Sequence, residues 1–404
     1  MAQAKTPKVV LVLLDGIPTD VLERVATPAI DAIAAAGGYS HAYVGGKARG
    51  DYTETPTVSA PGYMSMITGT WAYKHNVRGN GVKNPNYRYR NVFRMAKEAN
   101  PELQTAIYST WEDNRTKLVG EGKPEAGNFK FDYAFDGFEN DTSRFPHRAD
   151  RKFIFNIDER VSRQAARHIR SDAPDLSWVY LQFTDDMGHM FGDSPQMDDA
   201  VRKADRQVQR IWDAIQYREQ KFAEDWVIIV TTDHGRKPSD GKGHGGQSER
   251  ERKTWIATSA KSLNPRFTKQ TPGIVDITPS ALAHLGVTPS DAVRAEMDGT
   301  SFLGPVSFSS LQATIKGGKL TVNWQALGTN EEKLQVFMAR HNAFNQTGAE
   351  QYQLLGEAPV KAGRFSYQLA ETPGPVKMLV KGKHNWGNVW IGNARQVSEW
   401  ISPR

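Results

Sequence analysis

Val9-Val10-Leu11-Val12-Leu13-Leu14 runs without a polar residue into Asp15-Gly16. Two further runs have the same form: Trp178 to Phe183 leads into Thr184-Asp185, and Trp226-Val227-Ile228-Ile229-Val230 leads into Thr231-Thr232-Asp233. A strand with one wet face alternates apolar and polar residues, whereas continuous Val, Ile and Leu marks a strand covered on both faces. Helical patterns separate these runs. The clearest begins at Ser194-Pro195 and sets Val201, Ala204, Val208, Ile211, Trp212 and Ile215 on one stripe, with Ser suited to the N-cap and Pro to the first helical position. Buried strands alternating with helices predict an α/β fold, a mainly parallel doubly wound sheet with helices on both faces. Ligands in such folds bind outside the carboxyl ends of the strands, so Asp15, Asp185 and Asp233 are expected around one crevice.

Beyond Gly304-Pro305 the period changes. Leu320, Val322 and Trp324 alternate with polar residues, as do Leu334, Val336 and Met338, and then Phe365, Tyr367 and Leu369, with Gly, Pro and Asn clusters between them. Period-two alternation at short spacing predicts a C-terminal antiparallel β-sandwich of the fibronectin-III-like kind. The expected organisation is a catalytic domain over 1–304 and an accessory domain over 305–404. No catalytic constellation falls in the second part, which reads as a spacer or docking module; His384 and Trp386 read as ordinary surface or core residues.

Composition narrows the function. The 404 residues include no cysteine, which excludes thiol nucleophiles, disulfides and Cys-built metal sites. No stretch approaches the ~20 apolar residues of a membrane helix. The net charge of +6 lies mostly beyond Pro305, where eleven Lys and Arg face six Asp and Glu, leaving 40 against 39 in the first 304 residues. A nearly neutral body argues against dedicated nucleic-acid binding, which concentrates basic residues on one face. Met1-Ala-Gln-Ala lacks the apolar core of a secretory signal. It fits the stub of a trimmed one, and a cysteine-free chain is compatible with export. The expected location is periplasmic or secreted, with the cytoplasm as the alternative.

Three of the ten histidines fall in short motifs with aspartate or glycine, and the other seven read as structural or surface residues. Asp185-Asp186-Met187-Gly188-His189 places a carboxylate and an imidazole four residues apart on the turn leaving a buried strand, Asp233-His234-Gly235 places them side by side, and Gly243-His244-Gly245-Gly246 offers an imidazole among glycines. Each alone has a structural reading as a capped loop or helix start. Together with Asp15 they supply three His and three Asp, a donor set suited to two zinc ions, with manganese or iron compatible with some of the ligands. A nucleophile is offered by Thr57-Val58-Ser59-Ala60-Pro61-Gly62, where Pro61 suggests a helix start and the helix N-terminus favours a phosphate. Thr53, Thr55 and Thr57 compete with Ser59 as hydroxyls.

These motifs resemble the alkaline phosphatase superfamily and, within it, the nucleotide pyrophosphatase/phosphodiesterase branch. Asp15 matches the family's Asp after the first strand, and Ser59 with Pro61 and Thr68-Gly69 matches its nucleophile pattern. His75 and Asn80 stand at the places of a His-Gly-like step and a phosphate-binding Asn. Asp185/His189, Asp233/His234 and His244 match the three metal motifs, and the resemblance covers residues 5 to 304. It implies a two-metal phosphoric ester hydrolase. One zinc is expected at Asp15, Asp233, His234 and Ser59, and the other at Asp185, His189 and His244. A phosphoseryl intermediate on Ser59 is implied, with the Asn80 amide and the Ser59 N–H holding phosphate oxygens and a small-molecule phosphate ester as substrate.

The departures from the family pattern bear on specificity. The clamp aromatic after the nucleophile is replaced by Ala60, and Tyr180 is the expected counterpart of the other clamp. Tyr63 stands where sulfatases carry an Arg, which disfavours sulfate esters. The monoesterase Lys-x-Arg pair has no Lys in Ser109 to Arg115, leaving Arg115 as a candidate phosphate contact. The leading expectation is a phosphodiesterase or nucleotide pyrophosphatase, with a phosphate monoesterase on the same scaffold as the alternative. A phosphonate hydrolase, a phosphomutase and a catalytically silent binding protein rank lower.

Overall fold

The computed structural model describes residues 5–328, 331–371, 374–392, 397 and 400. Its strands are β1 (Thr6–Leu14), β2 (Gly38–Tyr43), β3 (Thr105–Ser109), β4 (Tyr133–Phe135), β5 (Leu176–Leu181), β6 (Glu224–Thr231) and β7 (Lys253–Thr258), which form one sheet in the order β2-β7-β6-β1-β5-β3-β4. β6, β1, β5, β3 and β4 are mutually parallel, while β7 runs antiparallel to β6 and pairs antiparallel with β2 at the edge. β1 lies at the centre, and its unbroken apolar run serves two cores. Val9, Leu11 and Leu13 enter one core, while Val10, Val12 and Leu14 enter the other, against the helices Lys152–Ser171 and Pro195–Lys221. The expected Ser194 cap is formed, its hydroxyl accepting the Met197 N–H at 3.2 Å.

One boundary differs from expectation. β5 stops at Leu181, and Phe183–Phe191 is a helix, so Asp185 and His189 lie one turn apart on a helix rather than on a strand-exit turn. The buried Asp158 carboxylate explains the early turn. It accepts the N–H groups of Gln182 and Phe183 at 3.1 and 2.8 Å, satisfying donors that a helix start leaves without partners.

The C-terminal strands are β8 (Phe308–Lys316), β9 (Lys319–Ala326), β10 (Lys333–Ala339), β11 (Gln353–Pro359), β12 (Arg364–Gln368), β13 (Val376–Lys381) and β14 (Trp386–Ile391). They form antiparallel sheets β11-β10-β13-β14 and β12-β9-β8 around a separate apolar core. Leu320, Val322, Leu334, Val336 and Met338 fill that core as their alternation predicts. β12 is an edge strand, and its Tyr367 is 38% exposed, so the third alternating run is only partly buried.

This sandwich is joined to the first domain by buried charge. The Lys377 ammonium on β13 donates to Glu296 Oε1 at 2.6 Å, Glu350 Oε2 at 3.0 Å and Asn342 Oδ1 at 3.1 Å. The Lys74 ammonium donates to Asp298 Oδ1, the Glu296 carbonyl and Asn388 Oδ1 on β14, all within 2.8 Å. Trp390 stacks on Tyr52 and meets Tyr73 edge-on. A buried cation is tolerated only where carboxylates and carbonyls surround it, which fixes the two domains in one register.

Candidate active site

Asp15 follows β1, His234 lies just beyond β6, and Asp185 sits in the first turn of the Phe183–Phe191 helix, so the parallel strands deliver all three to one rim. Short bonds stitch the rim together. The Gly16 N–H donates to Asp233 Oδ1 at 3.1 Å, Ile17 N–H to Thr232 Oγ1 at 2.9 Å, and Thr184 Oγ1 to the Asp15 carbonyl at 2.6 Å. Gly16 has φ +64°, and a Cβ there would lie 2.6 Å from Arg236 Nη2, 2.9 Å from Asp185 Oδ1 and 3.1 Å from His234 Cε1. Only glycine fits both that backbone and that space.

Two clusters emerge. In the first, His234 Nε2 faces Asp15 Oδ1 at 3.5 Å and Asp233 Oδ2 at 3.3 Å. All three atoms are buried and have no hydrogen-bond partner. In the second, His189 Nε2 lies 3.0 Å from His244 Nε2 and 3.4 Å from Asp185 Oδ2, with His244 Nε2 3.8 Å from Asp185 Oδ1. His234 joins the clusters, its ring stacked on His244 at 3.7 Å, and it also groups with Asp185 and His244. The imidazoles are oriented from behind. His234 Nδ1 donates to the Gly235 carbonyl and His244 Nδ1 to the Thr57 carbonyl, both at 2.9 Å, which leaves each Nε2 lone pair pointing inward.

The electrostatics match the donor set. Burial, then repulsion from Asp233 and Asp185, pushes the Asp15 carboxyl well up. Asp233 is likewise raised by burial and by Asp185. Burial holds His234 well below the ordinary imidazole range and lowers His244 as well. Asp185 goes the other way. Burial opposes its ionisation, but the His189 hydrogen bond and the Arg236 charge outweigh it. Buried carboxylate oxygens and imidazole nitrogens that face one another without other partners are a donor set that fits a divalent cation.

Ser59 is the first residue of the Ser59–Thr68 helix, with Val58 as N-cap, so its hydroxyl is not spent on capping. A Cβ at Gly62, one turn on, would touch Asp233 at 3.0 Å, which shows how closely this helix approaches the first cluster. Thr57 is tied to the histidine loop: Gly245 N–H donates to its hydroxyl at 3.0 Å, and that hydroxyl donates to the Gly246 carbonyl at 2.8 Å. Asn80 Oδ1 accepts the Ala60 N–H at 3.0 Å, placing its amide beside Ser59. Of the competing hydroxyls, Thr53 Oγ1 bonds Asp51 and Thr55 Oγ1 bonds the Thr53 carbonyl.

Two of the expected substrate contacts have other partners. Tyr180 is 2% exposed, and its hydroxyl donates to Asp15 Oδ2 at 2.7 Å. Arg115 is committed elsewhere, its guanidinium paired with Asp136 at 2.7 Å, Glu121 at 2.6 Å and Glu112 at 3.3 Å. Sequence reasoning also missed three residues. Tyr63 donates to the same Asp15 oxygen as Tyr180, Asp158 holds the start of the Asp185 helix, and Arg236 donates to Asp185. The one available signal was Gly188 inside the Asp185–His189 motif: a Cβ there would lie 2.1 Å from the Arg236 guanidinium carbon.

The sheet order, the strand-end aspartates and the paired histidines place the molecule in the alkaline phosphatase superfamily of hydrolases. The family described as Type I phosphodiesterase / nucleotide pyrophosphatase matches residues 9–298, well over half the chain, and the protein belongs to it. Solved structures share the fold at low identity. Phosphonate monoester hydrolase of Agrobacterium radiobacter is 14% identical, with 98% of this chain and 91% of that one covered at a TM-score of 0.50. Ps i-CgsB in complex with k-i-k-neocarrahexaose is 16% identical over 80% and 84% at 0.51. A 2-O GAG sulfatase is 11% identical over 90% and 85% at 0.51. Among the described residues no helix is long and apolar enough to cross a membrane.

Proposed function

We propose that the protein hydrolyses phosphoric diesters of the phosphodiesterase or nucleotide pyrophosphatase type, with Ser59 as nucleophile. The supporting observation is the trio of buried, partnerless atoms, Asp15 Oδ1, Asp233 Oδ2 and His234 Nε2, packed against the helix that Ser59 opens. In this reading Asp15, Asp233 and His234 hold one divalent cation with Ser59, and Asp185, His189 and His244 hold a second, zinc being the preferred metal for such ligands. When bound, such a pair lowers the pKa of coordinated hydroxyls and neutralises charge on phosphoryl oxygens.

The protein's own groups do the rest. Ser59 Oγ attacks phosphorus; the new Oγ–P bond forms as the bond to the leaving oxygen breaks, the serine proton ends on the departing alcohol, and a phosphoseryl ester that keeps the second substituent remains. Water then attacks that phosphorus, breaks the Oγ–P bond and returns a proton to Ser59. The Asn80 amide, oriented by the Ala60 N–H on its oxygen, offers its NH2 donors to a non-bridging oxygen, and the Ser59 N–H at the helix start offers another. The arrangement of 1–304 as the catalytic part and 305–404 as an accessory part belongs to the same proposal.

The commitment of Arg115 favours the diester reading over a monoesterase. A monoester carries one more negative charge, and the candidate arginine for it already serves three carboxylates. Purified protein with zinc should hydrolyse bis(4-nitrophenyl) phosphate in preference to 4-nitrophenyl phosphate, and Ser59→Ala should abolish both activities. A strong preference for the monoester refutes the diester assignment.

A further inference from the structure

We propose that the two cation positions are intrinsically unequal: Arg236 already neutralises the Asp185 side, so the Asp15–Asp233–His234 position fills first and the Asp185–His189–His244 position loads as an exchangeable second. This rests on the two-cation reading above and adds an order of occupancy to it.

Arg236 is 1% exposed, so it is a structural cation and not a group that meets substrate. Its Nη2 donates to Asp185 Oδ1 at 2.6 Å and to the Asp185 carbonyl at 2.9 Å; its Nε donates to the Gly16 carbonyl at 3.0 Å and its Nη1 to the Lys242 carbonyl at 3.2 Å. Gly16 and Gly188 both abut it so closely that neither admits a Cβ, and the guanidinium has no room to swing away. The local charges then differ by position. Asp15 and Asp233 bring two carboxyl groups; their hydrogen-bond donors are the phenols of Tyr63 and Tyr180 and the Gly16 N–H, none of them cationic. Asp185 brings one negative charge, and Arg236 cancels it at contact distance.

Solvent accentuates the difference. The side chains of Asp15, Asp233 and His234 are at most 2% exposed, whereas that of His189 is 48% exposed. A dication entering the first position takes the place of protons on two enclosed carboxyl groups that have no cation beside them. At the second it meets a neutral pair and an open face, with a fixed cation beside it. The expected separation of affinities is on the order of a hundredfold. The consequence is a hydrolase whose buried cation is permanent and whose outer cation follows the free metal concentration.

The test uses the full chain stripped with chelator and titrated with zinc chloride against a competing dye, alongside crystals grown with one equivalent of zinc. Two constants separated by tenfold or more, with anomalous density among Asp15, Asp233 and His234 only, support the proposal. Equal constants overturn it, as does density shared between the positions or found first beside Asp185. Arg236→Gln should tighten the weaker constant by tenfold or more, while Arg236→Lys should leave it weak; an unchanged ratio in Arg236→Gln overturns the role given to the guanidinium. If that variant does not fold, the one-equivalent crystal decides alone. No zinc at either position overturns the two-cation reading itself.

Discussion

Replacing Gly16 by alanine separates two costs that the structure places on one residue. The backbone cost comes from φ +64°, which for a residue with a Cβ is about 1–2 kcal/mol. The packing cost comes from a Cβ that would sit 2.6 Å from Arg236 Nη2 and 2.9 Å from Asp185 Oδ1; insertion into a filled site costs about 1–3 kcal/mol more. Gly50→Ala is the control, because Gly50 has φ +74° and no atom within 4 Å of its virtual Cβ, so it bears the backbone cost alone. Urea unfolding should show Gly16→Ala less stable than Gly50→Ala by about 1–3 kcal/mol. The functional loss should be larger still, because the clash is relieved by moving Arg236 or Asp185. A displacement near 1 Å at such a group costs on the order of a hundredfold in rate. Zinc content and turnover of bis(4-nitrophenyl) phosphate, measured on both variants, test this. If Gly16→Ala matches Gly50→Ala in stability, zinc content and turnover, the claim that the Asp15 turn is packed against the Asp185 side is refuted.

Further outcomes follow from other residues. Ser59→Ala should keep the fold and lower turnover by at least about a thousandfold; retained turnover would transfer the nucleophile's role to another group. Lys377→Met strips the buried cation from Glu296 and Glu350 and should cost about 3–5 kcal/mol. A calorimetric trace with two independent transitions in the native chain would contradict the fixed register between the domains. His75 is buried against Ser65, and burial lowers its imidazole to about 3. As pH falls below the unfolded value near 6.5, the unfolded chain takes up a proton that the folded chain refuses. Stability is therefore present above pH 6.5 and is lost toward pH 3 at about 1.4 kcal/mol per pH unit from this residue. His75→Gln should flatten that slope relative to the parent in urea titrations between pH 7 and pH 5, and an unchanged slope would count against the assignment.

The sheet was legible because β1, β5 and β6 are buried on both faces, and such strands need no alternation to be read. Asp15, Asp233 and His234 could be expected on one rim because they follow those strands. Asp185 and His189 were placed on the wrong element, since Asp158, far away in sequence, supplies the acceptor that starts their helix. The partners of Tyr180 and Arg115 were not legible for one reason: an aromatic or a cation near a motif looks available for substrate until its own partners are known. Tyr180 serves Asp15, and Arg115 serves Asp136. Arg236 and the Lys74–Glu296–Lys377 seam were invisible because a charged residue in a sequence reads as solvent-facing, and only tertiary neighbours reveal that it is enclosed.

The two phenols of Tyr63 and Tyr180 are inner fittings, spent on a single oxygen of Asp15, and they leave the walls of the cleft to be built from something else. The stretch between β3 and β4, which begins with the partly buried Trp111 beside Tyr63, leaves the sheet on that rim. Selection can thus remodel what enters the cleft by exchanging these outer turns while the inner fittings stay in place.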